Sequence, residues 1–234
     1  MRGKTLLVLA GLLGAGLLGY RYLPPHLNPL APHLNPLAPL ALDDPPGWLT
    51  SFKLRRLTAD QCASLLAEAN RRRLIASQPV ADSEGSCPLH NVVRVANFGS
   101  VTLSSSFLAS CPLALSSALY VEQQAKPLTR QLMASDLRQI DHLGSFACRN
   151  IYHRQQARRS EHATADALDV SGFRLADGRR VSVLQGWRSE TSHPWLAALL
   201  NNSCHYFGNA LGPEYNAAHA NHFHLGMRGQ GFCF

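Results

Sequence analysis

The chain has 234 residues, of which 46% are hydrophobic, and a formal charge of +7. This length and apolar content exclude a disordered chain and allow one domain of about 150–200 residues with appendages. The positive charge favours anionic partners, such as nucleic acid, an acidic membrane surface or an anionic cell-wall polymer. Because the basic residues are scattered and no nucleic-acid-binding motif is present, we predict no nucleic-acid partner.

Six cysteines are spread along the chain, and no two of them form a Cys-x-x-Cys pair. They are Cys62, Cys87, Cys111, Cys148, Cys204 and Cys233. An even number at wide spacing is typical of disulfide bonds in an oxidising compartment, and the lack of a close pair argues against a zinc knuckle. The alternative is a set of unrelated buried thiols in a cytosolic protein, and the N-terminus argues against it.

The N-terminus carries Arg2 and Lys4 and then an uncharged run, Thr5 to Tyr20, rich in Leu, Ala and Gly. A basic start followed by such a run is typical of a secretory signal or a membrane anchor. As a helix, the run would span about 24 Å, slightly less than a full hydrocarbon core. We predict an uncleaved transmembrane helix over residues 1–23, with the rest of the chain outside the cytoplasm. A signal cleaved near Gly14-Ala15-Gly16 is the alternative.

Residues 24–47 are predicted to be a proline-rich linker. The sequence His-Leu-Asn-Pro-Leu-Ala-Pro begins at His26 and is repeated from His33. Dense proline fixes φ and removes backbone donors, so this segment should be an extended spacer. Duplication of a spacer accounts for the two histidines more simply than a metal site does.

The folded domain is predicted to span residues 48–234 and to mix helices with strands. The predicted helices cover residues 62–74, 113–124, 127–132 and 193–207. The predicted strands cover residues 91–96, 139–147, 167–175, 180–187 and 222–227, and residues 149–159 form a loop or short helix. Asp177-Gly178 is a strong hairpin signal between the third and fourth strands. We therefore predict an α+β fold, in which helices pack on a small antiparallel sheet with a central hairpin.

Two distant segments carry the imidazole and carboxylate groups that zinc prefers. His222 and His224 should project from the same face of the last predicted strand, with His219 nearby. His162 lies on the loop before the strand that begins near Asp169. A catalytic zinc site needs three protein ligands and one open position, so we predict that these segments meet and hold a metal. An uncoordinated imidazole beside it could shuttle protons or hold an oxyanion.

The same residues resemble the signatures of known metallopeptidases. Ser160-x-His162-x-x-Ala165-x-Ala167-x-Asp169 resembles the Ser-x-His-x-x-Gly-x-Ala-x-Asp signature of zinc D-Ala-D-Ala peptidases. The His222-x-His224 pair resembles the second signature of the wider LAS group, which includes lysostaphin-type endopeptidases and the hedgehog N-domain. More closely, residues 142–150, 160–178 and 207–225 resemble the bacterial extensin-like C-terminal domain family, with the likeness extending over roughly residues 48–234.

The peptidase resemblance implies a LAS/hedgehog-like fold with His162, Asp169 and His224 as Zn²⁺ ligands. It further implies that His222 is the uncoordinated catalytic histidine and that Arg149 contacts the substrate, where its planar donor fork suits a carboxylate or an oxyanion. The implied activity is hydrolysis of peptidoglycan peptides by a zinc-dependent peptidase. In a bacterium, the predicted N-terminal helix would then be a single-pass inner-membrane anchor, with the domain in the periplasm.

The chain departs from the peptidase pattern in two places. The signature glycine is Ala165, a change that matters only if φ is positive there. The Glu-x-x-His segment that supplies a general base is absent, and Glu161, Glu190 and Glu214 have no matching context. Either His222 or His219 acts as the base, or hydrolysis has been lost. In the second case, the domain would be a non-catalytic, metal-containing module that binds the cell wall or holds envelope proteins.

The disulfide pattern cannot be derived from the sequence, because six cysteines allow 15 connectivities. Pairing neighbours along the chain gives a first hypothesis. It predicts Cys62–Cys87, Cys111–Cys148 and Cys204–Cys233.

Overall fold

The computed structural model describes residues 35–234 and six residues nearer the N-terminus, at positions 8, 11, 12 and 14–16. The chain divides into two units, Met1–Asp44 and Pro45–Phe234. Most of the predicted anchor and the first part of the proline-rich linker lie outside the described residues. Within the described ranges, no helix combines the length and apolar character needed to cross a membrane.

The second unit is an α+β domain, as predicted. Its helices are α1 (Trp48–Leu54), α2 (Ala59–Arg71), α3 (Cys111–Tyr120), α4 (Lys126–Met133), α5 (Val183–Gly186) and α6 (His193–Ser203). A π-helical segment, Val121–Ala125, joins α3 to α4, and short 3-10 helices cover Ile151–His153, Glu161–Thr164 and Ala217–His219. Its strands are β1 (Ala76–Pro79), β2 (Val92–Phe98), β3 (Val101–Ser110), β4 (Leu137–Gly144), β5 (Ala167–Leu175), β6 (Arg180–Ser182), β7 (Asn209–Leu211), β8 (Phe223–Gly226) and β9 (Phe232–Cys233).

The described strands form one sheet in the order β1-β2-β3-β4-β5-β8-β7-β9, with β6 also paired to β5. The sheet is mixed, since β3 is parallel to β4 and β7 is parallel to β9. The prediction of a small antiparallel sheet is therefore wrong in size, and antiparallel pairing holds for every described strand pair except these two. Strand β5 is central: it pairs with β4 along one edge, and with β8 and then β6 along the other.

The core lies between the sheet and the helices, with α3 at its centre. The Ser110 hydroxyl caps α3 by accepting a hydrogen bond from the Leu113 amide at 3.3 Å. Every residue of α3 except Pro112 is buried. Aromatic rings fill the space beside it: Phe173 of β5 lies 5.2 Å from Trp195 of α6, measured between ring centroids. This packing fixes one face of β5 and leaves its other face for the site described below.

The predicted hairpin after β5 is real but shorter than expected. Strand β5 has the predicted bounds, whereas the returning strand ends at Ser182 instead of continuing to residue 187. The Ser182 hydroxyl accepts a hydrogen bond from the Gln185 amide at 3.2 Å, which starts α5 at Val183. A helix N-cap therefore overrides the β-propensity of the valine-containing segment.

Two of the three predicted disulfide bonds are wrong. The observed bonds are Cys62–Cys111, Cys87–Cys148 and Cys204–Cys233, with Cα separations of 6.0, 5.6 and 6.0 Å. Only the last was predicted. Pairing along the sequence failed because the β2–β3 hairpin returns the chain to α2, and because the loop after β4 lies against the loop before β2.

Ala165, at the position of the signature glycine, has a left-handed backbone with φ 53° and ψ 35°. Such a backbone costs a non-glycine residue about 1–2 kcal/mol. The Ala165 methyl is fully buried and belongs to a small cluster with Leu89 and Val92. Burial of this methyl offsets part of the backbone cost, which explains how alanine is accommodated here.

A Cys62→Ser variant should identify the disulfide partner directly. We expect the one free thiol to be Cys111, measured by alkylation of the unreduced protein and peptide mass spectrometry. The lost cross-link should lower the free energy of unfolding by about 2–4 kcal/mol in urea titrations. Labelling of Cys87 instead would contradict the structure, and Cys204→Ser, which should free only Cys233, is the matched control.

An Ala165→Gly variant should change the free energy of unfolding by less than about 1 kcal/mol. Glycine removes the cost of the left-handed backbone, which stabilises the fold. It also loses a buried methyl group and raises the entropy of the unfolded chain, and both effects destabilise the fold. Ala165→Val should destabilise by more than about 2 kcal/mol, because a β-branched side chain suits neither the backbone nor the packed site.

The matched control is Ala163→Gly, since Ala163 is equally buried but does not have a positive φ. It should be more destabilising than Ala165→Gly in the same urea titrations. Equal losses at both positions would contradict this account of the backbone.

Candidate metal centre

The pairing of β5 with β8 places a carboxylate beside an imidazole. Asp169 lies opposite His224 in the antiparallel register of these strands. The neighbours Leu168 and Val170 point into the core, as does Phe223. Because side chains alternate along a strand, Asp169 and His224 share the opposite face of the sheet, as the sequence predicted for His224.

His162 reaches the same face from the 3-10 helix that precedes β5. The Ser160 hydroxyl caps this helix by accepting a hydrogen bond from the His162 amide at 3.3 Å. The His162 Nδ1 atom donates to the Ser145 carbonyl at 2.9 Å, since a carbonyl oxygen can only accept. The ring is thereby held with its Nε2 atom 3.2 Å from Asp169 Oδ2.

The three predicted ligand residues therefore converge. His224 Nδ1 lies 2.9 Å from Asp169 Oδ1, and one ligand atom from each of the three residues lies within 4.8 Å of the others. Ligand distances near 2.1 Å in a tetrahedral site require ligand atoms about 3.4 Å apart. The two separations, one to each carboxylate oxygen of Asp169, come close to that value. Two imidazole nitrogens and a carboxylate oxygen are a donor set that fits zinc.

The electrostatics of the site favour a bound cation. Burial lowers the pKa of His224, but the hydrogen bond to Asp169 and the nearby Glu161 carboxylate outweigh burial and raise this pKa to about 9. Burial raises the pKa of Asp169, and its contacts with His162 and His224 overcome that effect and hold the pKa well below its usual range. The carboxylates thus retain a proton on His224 at neutral pH, and a metal cation could replace that positive charge.

Two further imidazoles adjoin the three predicted ligand residues. His222 Nε2 is 3.6 Å from Asp169 Oδ1, and its Nδ1 atom lies 2.8 Å from the Asn221 side-chain oxygen. His219 Nδ1 similarly lies 2.8 Å from the side-chain oxygen of Asn216. Each asparagine oxygen can only accept, so both histidines carry their proton on Nδ1 and leave Nε2 as an acceptor.

Both of these imidazoles are neutral at pH 7. Burial, followed by repulsion from His224 and His222, lowers the pKa of His219 to about 4. Burial also lowers the pKa of His222, and the Asp169 carboxylate opposes this effect only in part. His222 was predicted to stay uncoordinated and His219 to lie nearby, and the structure places both beside the three predicted ligand residues.

The imidazole cluster lines a cleft of about 570 Å³. Arg149 and Arg158 line it as well, and neither guanidinium has an ion-pair partner among the described residues. Arg149 is placed by the loop over residues 145–162, where its carbonyl accepts from the Ser160 amide at 3.1 Å. The exposed rings of Tyr152, Tyr215, Phe232 and Phe234 line the same cleft. The cleft therefore combines unpaired positive charge with apolar surface.

The sequence did not show what Glu161 does. Its Oε1 atom accepts from the Arg228 amide at 2.7 Å, and its Oε2 atom accepts from Asn209 Nδ2 at 3.0 Å. Neither Glu190 nor Glu214, the other two glutamates considered, lines the cleft. The only sequence signal for a role of Glu161 in the site was its position directly before His162. The hydrogen-bond partners of its side chain lie more than 40 residues away along the chain, so the sequence did not show them.

Comparison with known proteins gives one match. A protein-family model described as the C-terminus of extensin-like proteins matches residues 60–234. Neither the curated proteins nor the solved structures include a match to the chain. The family match covers the domain from the second residue of α2 to the last residue, including the candidate metal ligands and all six cysteines. The chain therefore belongs to the extensin-like C-terminal family.

Proposed function

We propose that this domain is a zinc-dependent peptidase that hydrolyses amide bonds in peptidoglycan peptides. The observation that carries the proposal is the convergence of His162, Asp169 and His224 beside two neutral imidazoles in an open cleft. This arrangement is what the LAS metallopeptidase signatures imply, so a LAS/hedgehog-like fold is part of the same proposal. The uncharged run after Arg2 and Lys4 supports a tether in the inner membrane, with the domain in the periplasm.

The chain supplies two groups suited to proton transfer. Zinc, when bound, would polarise the amide carbonyl and lower the pKa of a water molecule in its open position. The free Nε2 atom of His222 can accept a proton from the attacking water and return it to the leaving amine. His219 lies 5.2 Å from His222 between ring centroids and provides a second acceptor of the same kind.

The arginines of the cleft suit an anionic substrate. Arg149 presents a planar fork of donors that matches a carboxylate in two-point contact. Peptidoglycan peptides carry free carboxylates, so the unpaired charge of Arg149 and Arg158 supports this substrate class. The net charge of +7 would further attract an anionic cell-wall polymer.

A second candidate function is a non-catalytic module of the same fold that holds a metal and binds the cell wall. The observation that favours it is the lack of a free carboxylate base among the described residues of the cleft. Asp169 belongs to the ligand set, and both oxygens of Glu161 already accept hydrogen bonds. Turnover would then depend on His222 or His219.

Metal content and peptide cleavage, measured together on the full chain in detergent, separate the two functions. We expect about one zinc ion per chain by mass spectrometry and cleavage of muropeptides by liquid chromatography. His224→Ala should lose both the metal and the cleavage. His222→Ala should keep the metal and lose about 10²–10⁴-fold in cleavage rate, since it removes a proton-transfer group.

The matched control is His90→Ala, because exposed His90 pairs with Asp82 outside the cleft and should change neither readout. Bound zinc with no cleavage of any muropeptide would contradict the peptidase and support the binding module. Absence of bound metal would contradict both functions.

An Arg149→Ala variant should raise KM about 10–100-fold for peptides that end in a free carboxylate, because it removes a charge-assisted contact. Amidation of the same peptides should abolish the difference between the variant and the wild type. Arg130→Ala is the control, since Arg130 pairs with Asp136 outside this cleft. An equal loss on free and amidated peptides would contradict carboxylate recognition by Arg149.

A further inference from the structure

Glu161 is a carboxylate that the proposed reaction does not use, although it lines the cleft. Its side chain is only 12% exposed. The carboxylate also lies directly over Gly226, because a Cβ atom at that glycine would come within 2.6 Å of Glu161 Oε1. A buried carboxylate with fixed contacts has a structural or functional reason to be there.

The two nitrogens of His224 face two different carboxylates. Its Nδ1 atom is 2.9 Å from Asp169 Oδ1, whereas its Nε2 atom is 3.6 Å from Glu161 Oε2. The second separation is an ion-pair distance, slightly too long for a hydrogen bond. If Nδ1 binds a metal, Nε2 must carry the proton of the neutral ring, and Glu161 is the acceptor on that side.

Glu161 also joins the two segments that carry the histidine ligands. It follows Ser160 and precedes His162, and it accepts from the Arg228 amide just after β8. The Arg228 guanidinium in turn donates to the Arg159 carbonyl at 2.7 Å. These reciprocal contacts fix the loop of His162 against the end of the strand that carries His224.

We propose that Glu161 is a positioning residue that orients His224 with Nδ1 toward the metal. This inference rests on the proposed metal site and adds a residue to it. The geometry also argues against Glu161 as the missing general base. Both of its oxygens already accept hydrogen bonds, and it faces the His224 nitrogen that does not point at Asp169.

The experiment is a zinc titration of the full chain carrying Glu161→Gln, against a chromophoric chelator. Glutamine keeps the size of the side chain but loses the charge and one acceptor. We expect the Kd for zinc to rise about 10–100-fold, as it does when a carboxylate that holds a metal-binding histidine is removed. The visible spectrum of the Co²⁺-loaded protein should also change, because this spectrum reports ligand geometry and not overall stability.

Activity at saturating zinc distinguishes positioning from base catalysis. A positioning role predicts that Glu161→Gln regains most of the wild-type kcat once zinc saturates the site. A general base predicts an unchanged Kd and a loss of kcat of about 10²–10⁴-fold, which would overturn the proposal. Glu214→Gln is the matched control, since Glu214 lies outside the cleft and should leave both readouts unchanged.

Two further outcomes are decisive. A Glu161→Gln protein with wild-type zinc affinity and an unchanged Co²⁺ spectrum would overturn the role of Glu161 and leave the proposed peptidase intact.

If glutamine prevents folding, as judged by circular dichroism, Glu161→Asp replaces it. That variant keeps the charge but shortens the reach, so a Kd between those of the wild type and a His224→Ala protein supports the proposal, and a wild-type Kd overturns it.

Discussion

The pairing of β5 with β8 is the constraint on which the candidate site depends. It places Asp169 opposite His224, and a shift of one residue would turn one of them into the core. Burial of Leu168, Val170 and Phe223 on the other face fixes this register, because the same slip would expose the apolar side chains of the strand that shifts. The hydrophobic core therefore sets the separation of two polar side chains on the opposite face of the sheet.

The site also brings opposite charges close together. Two carboxylates, Asp169 and Glu161, lie around His224 in a largely buried setting. Burial alone would oppose every charge there, but their mutual contacts keep the carboxylates ionised and the imidazole protonated. Such a set is costly to build for stability alone, since buried ion pairs often repay little more than their desolvation. Binding of a cation, as proposed, would account for this desolvation cost.

The sequence predicted those parts of the site that follow from local periodicity. Strand alternation placed His222 and His224 on one side, and β5 was predicted with both of its bounds. Strand β3 was missed because its middle, Ser104 to Ser106, is polar and exposed, although the strand lies inside the sheet. Its formation depends on pairing with β2 and β4, which is tertiary information that no short window contains.

The same limit explains why two disulfide bonds were predicted wrongly and why the role of Glu161 was not predicted. Both depend on where distant segments meet: Cys111 returns to α2 through a hairpin, and Glu161 meets a backbone amide 67 residues further along the chain. The left-handed backbone of Ala165 was not predictable for the same reason, because the contact with Leu89 and Val92 that offsets part of its cost joins distant segments.

The proposed metal ligands and the other side chains of the cleft are held in place in different ways. Of the three proposed ligands, Asp169 and His224 lie on paired strands, and His162 lies on the capped 3-10 helix before β5. The arginines and exposed aromatic rings that line the cleft lie on loops or near the chain end. Those segments are tethered: Cys148, next to Arg149, is bonded to Cys87, and Cys233, between Phe232 and Phe234, is bonded to Cys204. A metal site needs ligands held closely in place, which strands provide. Loops supply the varied side chains of the cleft, and the disulfide bonds beside these loops restrict their movement.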